Sequence, residues 1–363
     1  MRIGFDARMI THPGIGRYIK NILSGMLGQQ GPENFCLFGN QDRLSVFSSC
    51  TEIVPYDAKI YGINEVLYQG FNNKELNVLH VPHYNVPWRK GNYKLIVTIH
   101  DLIHLKVKGV ANYCKQKVFL TMLSKVVNYA DKIVAVSEST KDDIISFFPK
   151  AESKINVIYE AADDEFKMID KNNSALGMLK EKYCLPEKII LFVGTVKPHK
   201  NIAGLIDAYL KLKAKGVQHT LVIVGRYNEK ENRLLSKIHS SDALFLGEVP
   251  SEHLPALYNL AQLLVMPSFC EGFGFPVLEA MACGTPVVTS KVSSLPEVVG
   301  EAGIYFNPNN SDNIAEAISK VLSDEQLRQD LIVKGFERVK NFSWQKAAEE
   351  TLSIYERVLS SKL

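Results

Sequence analysis

Short apolar runs alternate with segments of helical periodicity along nearly the whole chain. This alternation is typical of strand–helix–strand units, which pack as parallel sheets covered by helices. In the first predicted helix, apolar residues recur at the spacing of one helix face: Ile19, Ile22, Leu23, Met26 and Leu27. The pattern therefore predicts an α/β protein.

Ten apolar runs are the clearest strand candidates. In the first half of the chain they are residues 2–5, 78–81, 94–99, 132–136 and 155–158. In the second half they are residues 189–193, 220–224, 243–246, 263–266 and 286–289. Ligands of parallel α/β sheets collect where strands end and helices begin, so the residues directly after these runs are the functional candidates.

The pattern lapses into a polar stretch between residues 158 and 186. The chain has 363 residues, which is too long for one ordinary core and suits two. We therefore predict an N-terminal domain over residues 1–165 and a C-terminal domain over residues 166–345. Residues 346–363 are predicted to belong to a terminal helix that docks on a domain already built.

The composition excludes several classes of protein. Hydrophobic residues make up 46% and charged residues 22%, as in ordinary globular proteins, so neither a disordered nor a fibrous chain is expected. The net charge of +3 argues against a nucleic-acid partner. The six cysteines show neither a CxxC pair nor metal-ligand spacing, which favours free thiols in a reducing compartment. Charged residues interrupt the amino terminus and no long apolar run follows, so a cytoplasmic protein is predicted.

Two candidate sites follow strands of the first half. Gly14 and Gly16 lie in the loop after the first strand, where glycines let the backbone approach an anionic ligand. A nicotinamide-binding loop would carry a third glycine where Ile19 stands, so that cofactor is disfavoured, while a plain tight turn stays open. His100 ends another strand, where an imidazole can hydrogen-bond a substrate or serve the structure alone.

A basic loop follows the strand over residues 189–193. Lys197, His199 and Lys200 lie there, directly before a predicted helix. Cations and a helix amino terminus act together on a diphosphate, so the loop is a candidate diphosphate site. A solvated basic loop is the alternative.

The most informative stretch is residues 267–288. A strand ends, a glycine-rich loop exposes backbone amides, a short helix begins at Pro276, and Gly284 ends it before the next strand. Glu271 lies in the loop and Glu279 in the helix, eight positions apart. Carboxylates accept hydrogen bonds from sugar hydroxyls, so this pair can hold two separate hydroxyl pairs of one extended ligand.

Together these segments resemble the retaining glycosyltransferases of family 4. That family has the GT-B fold, in which two Rossmann-like domains with parallel sheets face each other across an interdomain cleft. The resemblance covers essentially the whole chain, and the Glu-x7-Glu stretch with its flanks is its most specific part. It implies an acceptor-side N-terminal domain, a nucleotide-sugar-binding C-terminal domain and a terminal helix that crosses back to the N-terminal domain.

The resemblance also implies roles for residues of the C-terminal domain. Glu271 and the amides near it would hold the transferred hexose, a set that includes Gly272, Phe273 and Gly274. Glu279 would hold the ribose diol and Lys200 the diphosphate. The backbone near Val249 would contact the base.

In the N-terminal domain the resemblance assigns Gly16, with its neighbour Gly14, to the phosphate and His100 to the sugar near the reacting carbon. One position departs from the family, since Thr195 stands where many members carry an arginine. We hypothesise that Arg226, at a neighbouring strand end, helps to neutralise the phosphate in its place.

The predicted function is therefore that of a retaining, metal-independent glycosyltransferase in polysaccharide biosynthesis. It would move a hexose from a nucleotide sugar to a glycan or a lipid-linked acceptor. No Asp-x-Asp metal motif is present, so lysine and helix dipoles are expected to replace a divalent metal, and no cofactor is predicted. The sequence of this basic loop, called the lysine loop below, resembles that of the corresponding loop in bacterial mannosyltransferases. The resemblance favours GDP-mannose over a UDP-sugar as the donor. A front-side attack fits the lack of an obvious nucleophile, with a covalent step left open.

Two other functions remain open at this stage. One is a sugar-nucleotide epimerase of the same architecture, and the other is a non-catalytic nucleotide-sugar sensor. Release of nucleoside diphosphate only when acceptor is present separates a transferase from an epimerase. Hydrolysis of the donor without acceptor argues against a pure sensor.

A basic segment lies within the first half of the chain. Residues 86–132 hold nine lysines and arginines against two aspartates, a local charge of +7, interleaved with apolar side chains. Such a segment can lie on an anionic membrane surface that carries a lipid-linked acceptor. We therefore predict a peripheral contact with the inner face of a membrane, with a solvated helix face as the alternative.

Overall fold

The computed structural model describes residues 1–48, 51–58, 60, 70–72, 74–107, 109–227 and 232–360. They form two compact units. Unit 1 is drawn from Met1–Leu105, Ala111–Glu160 and Ser343–Leu363, and unit 2 from Lys106–Val110 and Ala161–Phe342. The main change of unit, after Glu160, lies close to the boundary proposed after residue 165.

Strands and helices alternate through the described residues. The strands are β1 (Ile3–Asp6), β2 (Phe35–Gly39), β3 (Glu52–Pro55), β4 (Val78–Val81), β5 (Lys94–Ile99), β6 (Lys132–Ala135), β7 (Ile155–Val157), β8 (Ile189–Val193), β9 (Thr220–Val224), β10 (Leu244–Gly247), β11 (Leu263–Met266), β12 (Val287–Ser290) and β13 (Gly303–Phe306). The helices are α1 (Ile15–Gln30), α2 (Ile103–Lys106), α3 (Tyr113–Tyr129), α4 (Glu138–Phe147), α5 (Ser174–Lys182), α6 (Ile202–Ala214), α7 (Asn232–His239), α8 (Leu254–Leu260), α9 (Phe275–Ala282), α10 (Leu295–Val299), α11 (Ser311–Ser323), α12 (Glu325–Val339) and α13 (Trp344–Ser360).

Each unit is built on one parallel sheet. Unit 1 has seven strands in the order β3-β2-β1-β4-β5-β6-β7, and unit 2 has six in the order β10-β9-β8-β11-β12-β13. In both sheets the order reverses beside the first strand of the unit, which is the place where open α/β sheets bind ligands. The α/β prediction and the two parallel-sheet domains are confirmed.

All ten predicted strands are present; five have the predicted bounds, and the ends of the other five differ by one residue. The prediction omitted β2, β3 and β13. Two of these, β3 and β13, are edge strands; no residue of β3 is fully buried, and two of the four residues of β13 are only partly buried. An edge strand has one paired side, so its sequence needs less apolar character than a central strand does.

The terminal helix α13 belongs to unit 1, where it packs against α1. Its apolar face joins the buried core of that unit through Ala348, Leu352 and Tyr355, among others. The two helices approach closely because Gly25 of α1 faces Ala348, and a Cβ on that glycine would lie 2.6 Å from the alanine Cβ. That the two domains face each other across a cleft stays a prediction.

Candidate functional site

Three neighbouring strands of unit 2 end in glycine turns that carry predicted residues. Gly194 precedes Thr195 after β8, Gly225 precedes Arg226 after β9, and the third turn leads from β10 to Val249. A Cβ on Gly225 would lie 2.0 Å from the Gly194 carbonyl oxygen, and its φ of 144° is one that other residues rarely adopt. The turns therefore stack backbone against backbone, and only glycine fits the middle position.

The lysine loop is a short 3-10 turn, Pro198–Lys200, that leads into α6. Asn201 caps that helix with a left-handed backbone, and its Nδ2 donates to the Pro308 carbonyl at 2.8 Å. The Phe269 amide donates to the His199 carbonyl at 2.7 Å, which joins this loop to the loop that contains Glu271. Two loops far apart in sequence are thus held as one surface.

Lys200 and Glu271 form a largely buried ion pair at this junction. Lys200 Nζ lies 2.7 Å from Oε1 and 2.8 Å from Oε2 of Glu271, with side chains 14% and 8% exposed. Ser268 Oγ donates to Glu271 Oε1 at 2.5 Å. The residue predicted for the diphosphate and the residue predicted for the hexose are therefore in direct contact.

The loop around Glu271 is fixed by two serines of the turn after β12. The Glu271 amide donates to Ser293 Oγ at 2.8 Å, and Ser294 Oγ donates to the carbonyls of Glu271 and Phe273 at 3.1 and 2.8 Å. Gly272 lies between those carbonyls, and Gly274 ends the loop as the residue that caps α9, with φ 109°. Hydrogen bonds from these two serines therefore hold the backbone of the predicted hexose loop in place.

Glu279 lies inside α9 with only 4% of its surface exposed. Tyr258 of α8 donates its hydroxyl to Glu279 Oε2 at 2.5 Å, which orients the carboxylate. Burial, together with the charge of Glu279, raises the pKa of the nearby Cys283 thiol to about 12. A protonated thiol therefore lies beside the carboxylate that is predicted to hold the ribose.

Sequence reasoning missed Ser268, Ser293, Ser294 and Tyr258. The serines all lie close to the ends of β11 and β12, so the rule that function collects at strand ends could have found them. Tyr258 lies within a helix, and no spacing signal in the sequence pairs it with Glu279.

Arg226 forms a bidentate ion pair with Glu248 across the ends of β9 and β10. Both contacts, Nε to Oε2 and Nη2 to Oε1, measure 3.0 Å, and the side chains are 65% and 58% exposed. Thr195 is half-buried and carries no charge to take the place of an arginine. The proposed compensation by Arg226 stays a prediction.

In unit 1 the glycine loop lies between β1 and α1. Gly14 adopts φ 79° directly before α1. A Cβ on Gly16 would lie 2.3 Å from the Ile10 carbonyl oxygen, and the Gly16 amide donates to the His12 carbonyl at 2.7 Å. Packing of the first turn of α1 against the preceding loop thus requires Gly16 to be glycine, and its phosphate contact stays a prediction.

A buried ion pair marks the end of β1. Arg8 Nε and Nη2 lie 2.8 and 2.6 Å from the two carboxylate oxygens of Asp6, and the guanidinium lies over the Tyr56 ring at 4.1 Å. Burial alone would raise the pKa of Asp6, but Arg8, with help from His83, holds it well below its usual range. Sequence reasoning assigned no role to this pair.

His100 follows β5 at the end of the strand, as predicted. Its Nδ1 lies 3.1 Å from Glu160 Oε1, and its Nε2 lies 3.1 Å from the Pro82 carbonyl oxygen. The side chain is 14% exposed, so the ring lies near the surface of the unit while both nitrogens contact protein acceptors. Glu160 was counted only as part of the polar stretch between the domains.

Within the described ranges, no helix is both long and apolar enough to cross a membrane. The same residues contain no cluster of three or more histidine, cysteine, aspartate or glutamate side chains suited to hold a metal ion. Of the basic segment, Lys115 and Lys117 are exposed on α3, whereas Lys108 lies outside the described residues.

Two family models match the chain in succession. Residues 59–166 match Glycosyltransferase Family 4, and residues 180–338 match Glycosyl transferases group 1. The second match contains both members of the Lys200–Glu271 pair and also Glu279.

Two Escherichia coli proteins illustrate the relatives. The chain is 34% identical over 293 residues to the serotype-specific mannosyltransferase WbdA, covering 77% of this chain and 35% of WbdA. It is 32% identical over 285 residues to O-antigen chain mannosyltransferase B, covering 77% of this chain and 74% of the relative. The chain thus spans about a third of WbdA and about three quarters of mannosyltransferase B.

The fold of the chain is similar to the folds of solved protein structures. Sucrose-phosphate synthase from Thermosynechococcus elongatus superposes with a TM-score of 0.80 at 18% identity over 100% of both chains. At this identity the likeness concerns the fold alone, and it confirms the GT-B class. The two family models and the relatives above 30% identity show that the chain belongs to the glycosyltransferases of family 4 and group 1.

Proposed function

We propose that the chain transfers a hexose from a nucleotide sugar to a glycan or lipid-linked acceptor of polysaccharide assembly, with retention of anomeric configuration. The observation that carries the proposal is the Lys200–Glu271 pair, which lies between a helix amino terminus and a glycine-rich loop held by serine hydrogen bonds. A cation and a carboxylate in contact suit a ligand whose anionic diphosphate is bonded directly to a hydroxyl-rich sugar.

The charges fit the chemistry of such a transfer. As the sugar leaves, negative charge grows on the diphosphate, and a fixed cation aimed at it lowers the barrier. Lys200 would supply that cation, and Glu271 would hold the sugar hydroxyls while the acceptor attacks. The leaving phosphate would take the acceptor proton, so no protein nucleophile is required. We propose that this arrangement works without a divalent metal.

Mannose is the hexose we favour, with GDP as the leaving group. The two E. coli relatives are named as mannosyltransferases, and the lysine loop resembles that of bacterial mannosyltransferases. A UDP-sugar is the second candidate, because base recognition through the backbone near Val249 leaves little trace in side chains.

A thermal-shift screen tests the donor site. GDP or GDP-mannose is expected to raise the melting temperature, since a ligand at a hundredfold excess over its Kd adds about 2.7 kcal/mol to the native state. The screen compares GDP, UDP, dTDP, ADP, GDP-mannose and UDP-glucose, with and without chelator. A stronger response to UDP-glucose would reverse the choice of donor, and loss of the shift with chelator would contradict metal independence.

Turnover distinguishes the proposal from its two rivals. A transferase releases GDP faster when an acceptor such as octyl α-mannoside is added. An epimerase would convert the nucleotide sugar without releasing GDP, and a sensor would bind it unchanged. If folded protein responds to no nucleotide at all, the donor site built on Lys200, Glu271 and Glu279 is wrong.

We also propose that α3 rests on an anionic membrane surface. Tyr113 and Val118 of this helix are 69% and 57% exposed, and the Lys117 ammonium lies 4.5 Å from the centroid of the Tyr113 ring. Trp88, which is 57% exposed, lies under the ammonium of Lys125 at 4.2 Å. Aromatic rings beside lysines suit the headgroup level of a bilayer.

Replacing Lys115 and Lys117 by glutamine is expected to reduce binding to phosphatidylglycerol-containing liposomes. Each lysine near such a surface contributes about 1 kcal/mol, so the pair should lower the partition coefficient by about tenfold or more. Lys213→Gln with Lys215→Gln, two exposed lysines of unit 2, removes the same charge elsewhere. Equal liposome binding by the two double variants would contradict a contact through α3.

A further inference from the structure

An open cavity lies at the β13 edge of unit 2. Its volume is about 590 Å³, and its walls come from the loop after β12, from β13 with the turn that follows it, and from α11. Pockets that bind small molecules commonly have roughly 300–1,000 Å³. Among the described residues, those that line the cavity do not include Lys200, Glu271 or Glu279. The cavity is therefore separate from the candidate donor site.

One face of α11 forms the first wall. Four residues of this helix line the cavity: Asn313, Glu316, Ala317 and Lys320. Their spacing of i, i+3, i+4 and i+7 places them on the same side of the helix. Asn313 Nδ2 lies 3.5 Å from Glu316 Oε2, so the amide and the carboxylate are neighbours. The face thus offers a ligand an amide, a carboxylate and an ammonium, with a small side chain between them.

The second wall is β13 with the turn after it. Ile304 and Tyr305 of the strand line the cavity and are half-buried. The Tyr305 hydroxyl donates to the Gly300 carbonyl, so the tyrosine offers a ligand its ring. In the turn, Asn307 and Asn309 are exposed, and the Asn309 amide donates to Asn307 Oδ1 at 3.0 Å. This wall combines an apolar strand with an amide-rich rim.

The lining matches the chemistry of a sugar. A hexose carries C–H groups on the faces of its ring and hydroxyls around its rim, and each hydroxyl can both donate and accept a hydrogen bond. Amide side chains also do both, a carboxylate accepts, and an ammonium donates. Ile304, Ala317 and the Tyr305 ring supply the apolar contact that the face of a sugar needs.

The charges of the lining favour a neutral ligand over an anionic one. Lys291 and Lys320 carry two positive charges, and Glu316 carries a negative charge in the same cavity. All three side chains are exposed. A polyanion would be attracted by the lysines but repelled by the carboxylate, whereas hydroxyls can bond groups of both signs.

The cavity is joined to the candidate donor loops through hydrogen bonds of unit 2. Pro308, which lines the cavity, accepts from Nδ2 of Asn201 at 2.8 Å, and Asn201 directly follows the lysine of the donor pair. Val292 also lines the cavity, and the next residue, Ser293, accepts from the Glu271 amide at 2.8 Å. A ligand in the cavity would therefore be held close to the loops that carry the donor pair.

We propose that this cavity binds a neutral glycan chain, the growing polysaccharide, and holds it on unit 2 while sugars are added. The identity of the glycan as the product rests on the proposed function, since an enzyme that extends a polymer makes such a ligand. A polymer bound at a second place on the same protein presents its end at a raised effective concentration. Long acceptors therefore benefit from the cavity, and short acceptors do not.

Affinity gel electrophoresis with α-mannan or dextran in the gel tests the site without any turnover. The wild-type chain is expected to be retarded by at least one of these neutral glycans. Asn313→Ala with Glu316→Ala removes two hydrogen-bonding groups of the α11 face and should weaken the apparent Kd about tenfold or more. Retardation of the wild type by neither glycan, or by dextran sulfate alone, would overturn the proposal.

A matched control lies on the next helix of the same unit. Gln326 and Asp330 of α12 also form an amide–carboxylate pair, with Nε2 donating to Oδ1 at 2.9 Å, and neither lines the cavity. Gln326→Ala with Asp330→Ala should be retarded like the wild type. Asn309→Trp, which narrows the cavity from its exposed rim, should weaken retardation as the α11 variant does. If both cavity variants match the control, the glycan binds elsewhere and the assignment is wrong.

Kinetics test the role of the cavity in polymer extension. For Asn313→Ala with Glu316→Ala, the ratio of KM for an α-mannan oligosaccharide to KM for octyl α-mannoside should rise about tenfold over the wild-type ratio. An unchanged ratio would overturn retention of the product. If the wild type turns over no nucleotide sugar, the proposed function fails, while retardation in the gel still decides whether the cavity binds a glycan.

Discussion

Lys200→Gln and Glu271→Gln are each expected to lower kcat/KM for GDP-mannose by about 10²–10³-fold, the loss typical of a group that stabilises charge in a transition state. Each substitution removes one member of a pair held at 2.7 and 2.8 Å in a largely buried position. The assay is release of GDP with octyl α-mannoside as acceptor. Activity within threefold of the wild type in both variants would contradict the proposed site.

The same variants should separate stability from catalysis. Breaking the pair leaves one buried charge without its partner, which costs about 3 kcal/mol, the low end for buried pairs because Lys200 keeps some exposure. The double variant should lose less stability than the sum of the single losses, yet recover no activity. Both tryptophans, Trp88 and Trp344, belong to unit 1, so unfolding of unit 2 is followed by circular dichroism.

A matched control for this pair exists on the surface of unit 2. Lys211 and Asp312 lie 2.5 Å apart with side chains 39% and 67% exposed. Lys211→Gln should change stability by less than about 1 kcal/mol and leave activity unchanged. A loss as large as that of Lys200→Gln would mean that charge removal anywhere in unit 2 has the same effect.

Arg8→Met is expected to destabilise unit 1 by about 3–5 kcal/mol at neutral pH, because it leaves the carboxylate of Asp6 buried without its cation. The double variant Asp6→Asn with Arg8→Met removes both charges and should cost less than Arg8→Met alone. Urea unfolding followed by tryptophan fluorescence measures this directly, since both tryptophans report on unit 1. Lys141→Met, which breaks the exposed pair with Glu138, is the control and should cost under about 1 kcal/mol.

The same pair gives a pH dependence with a definite sign. The folded-state pKa of Asp6 lies below its ordinary value of 3.8, so the pair stabilises the protein above pH 3.8 and loses that contribution as the pH falls further. Without Arg8 the pKa of Asp6 rises, so acid unfolding of unit 1 should begin at higher pH. A destabilisation of Arg8→Met that equals that of the double variant at every pH would show that packing, not charge, explains the loss.

The sequence alone was enough for the fold class and for most of the strands. Most central strands are buried on both faces and therefore form largely apolar runs, which are visible without a structure, although the prediction omitted β2, a fully buried central strand. The exceptions are instructive. β3 is an edge strand that contains Glu52 and Pro55, and only its parallel pairing with β2 identifies it as a strand.

The candidate donor residues were found because they follow a local rule. Lys200, Glu271 and Glu279 lie after strands or in the helix that follows one, and their chemistry is evident from residue type. Their contacts were not evident. Lys200 and Glu271 are 71 positions apart, and their direct pairing depends on how β8 and β11 lie side by side in one sheet.

What the sequence by itself determined was thus the kind of protein and its two sheets, and it supplied candidate residues for a nucleotide sugar, because strand periodicity and strand-end chemistry are local properties. The tertiary structure alone decided which of those residues meet. In the folded chain Glu160 contacts His100, and Tyr355 from the terminal helix contacts His80. Arg8 forms an ion pair with the buried Asp6. Side-chain partners depend on the distances that folding creates, and neither residue type nor spacing along the chain encodes those distances.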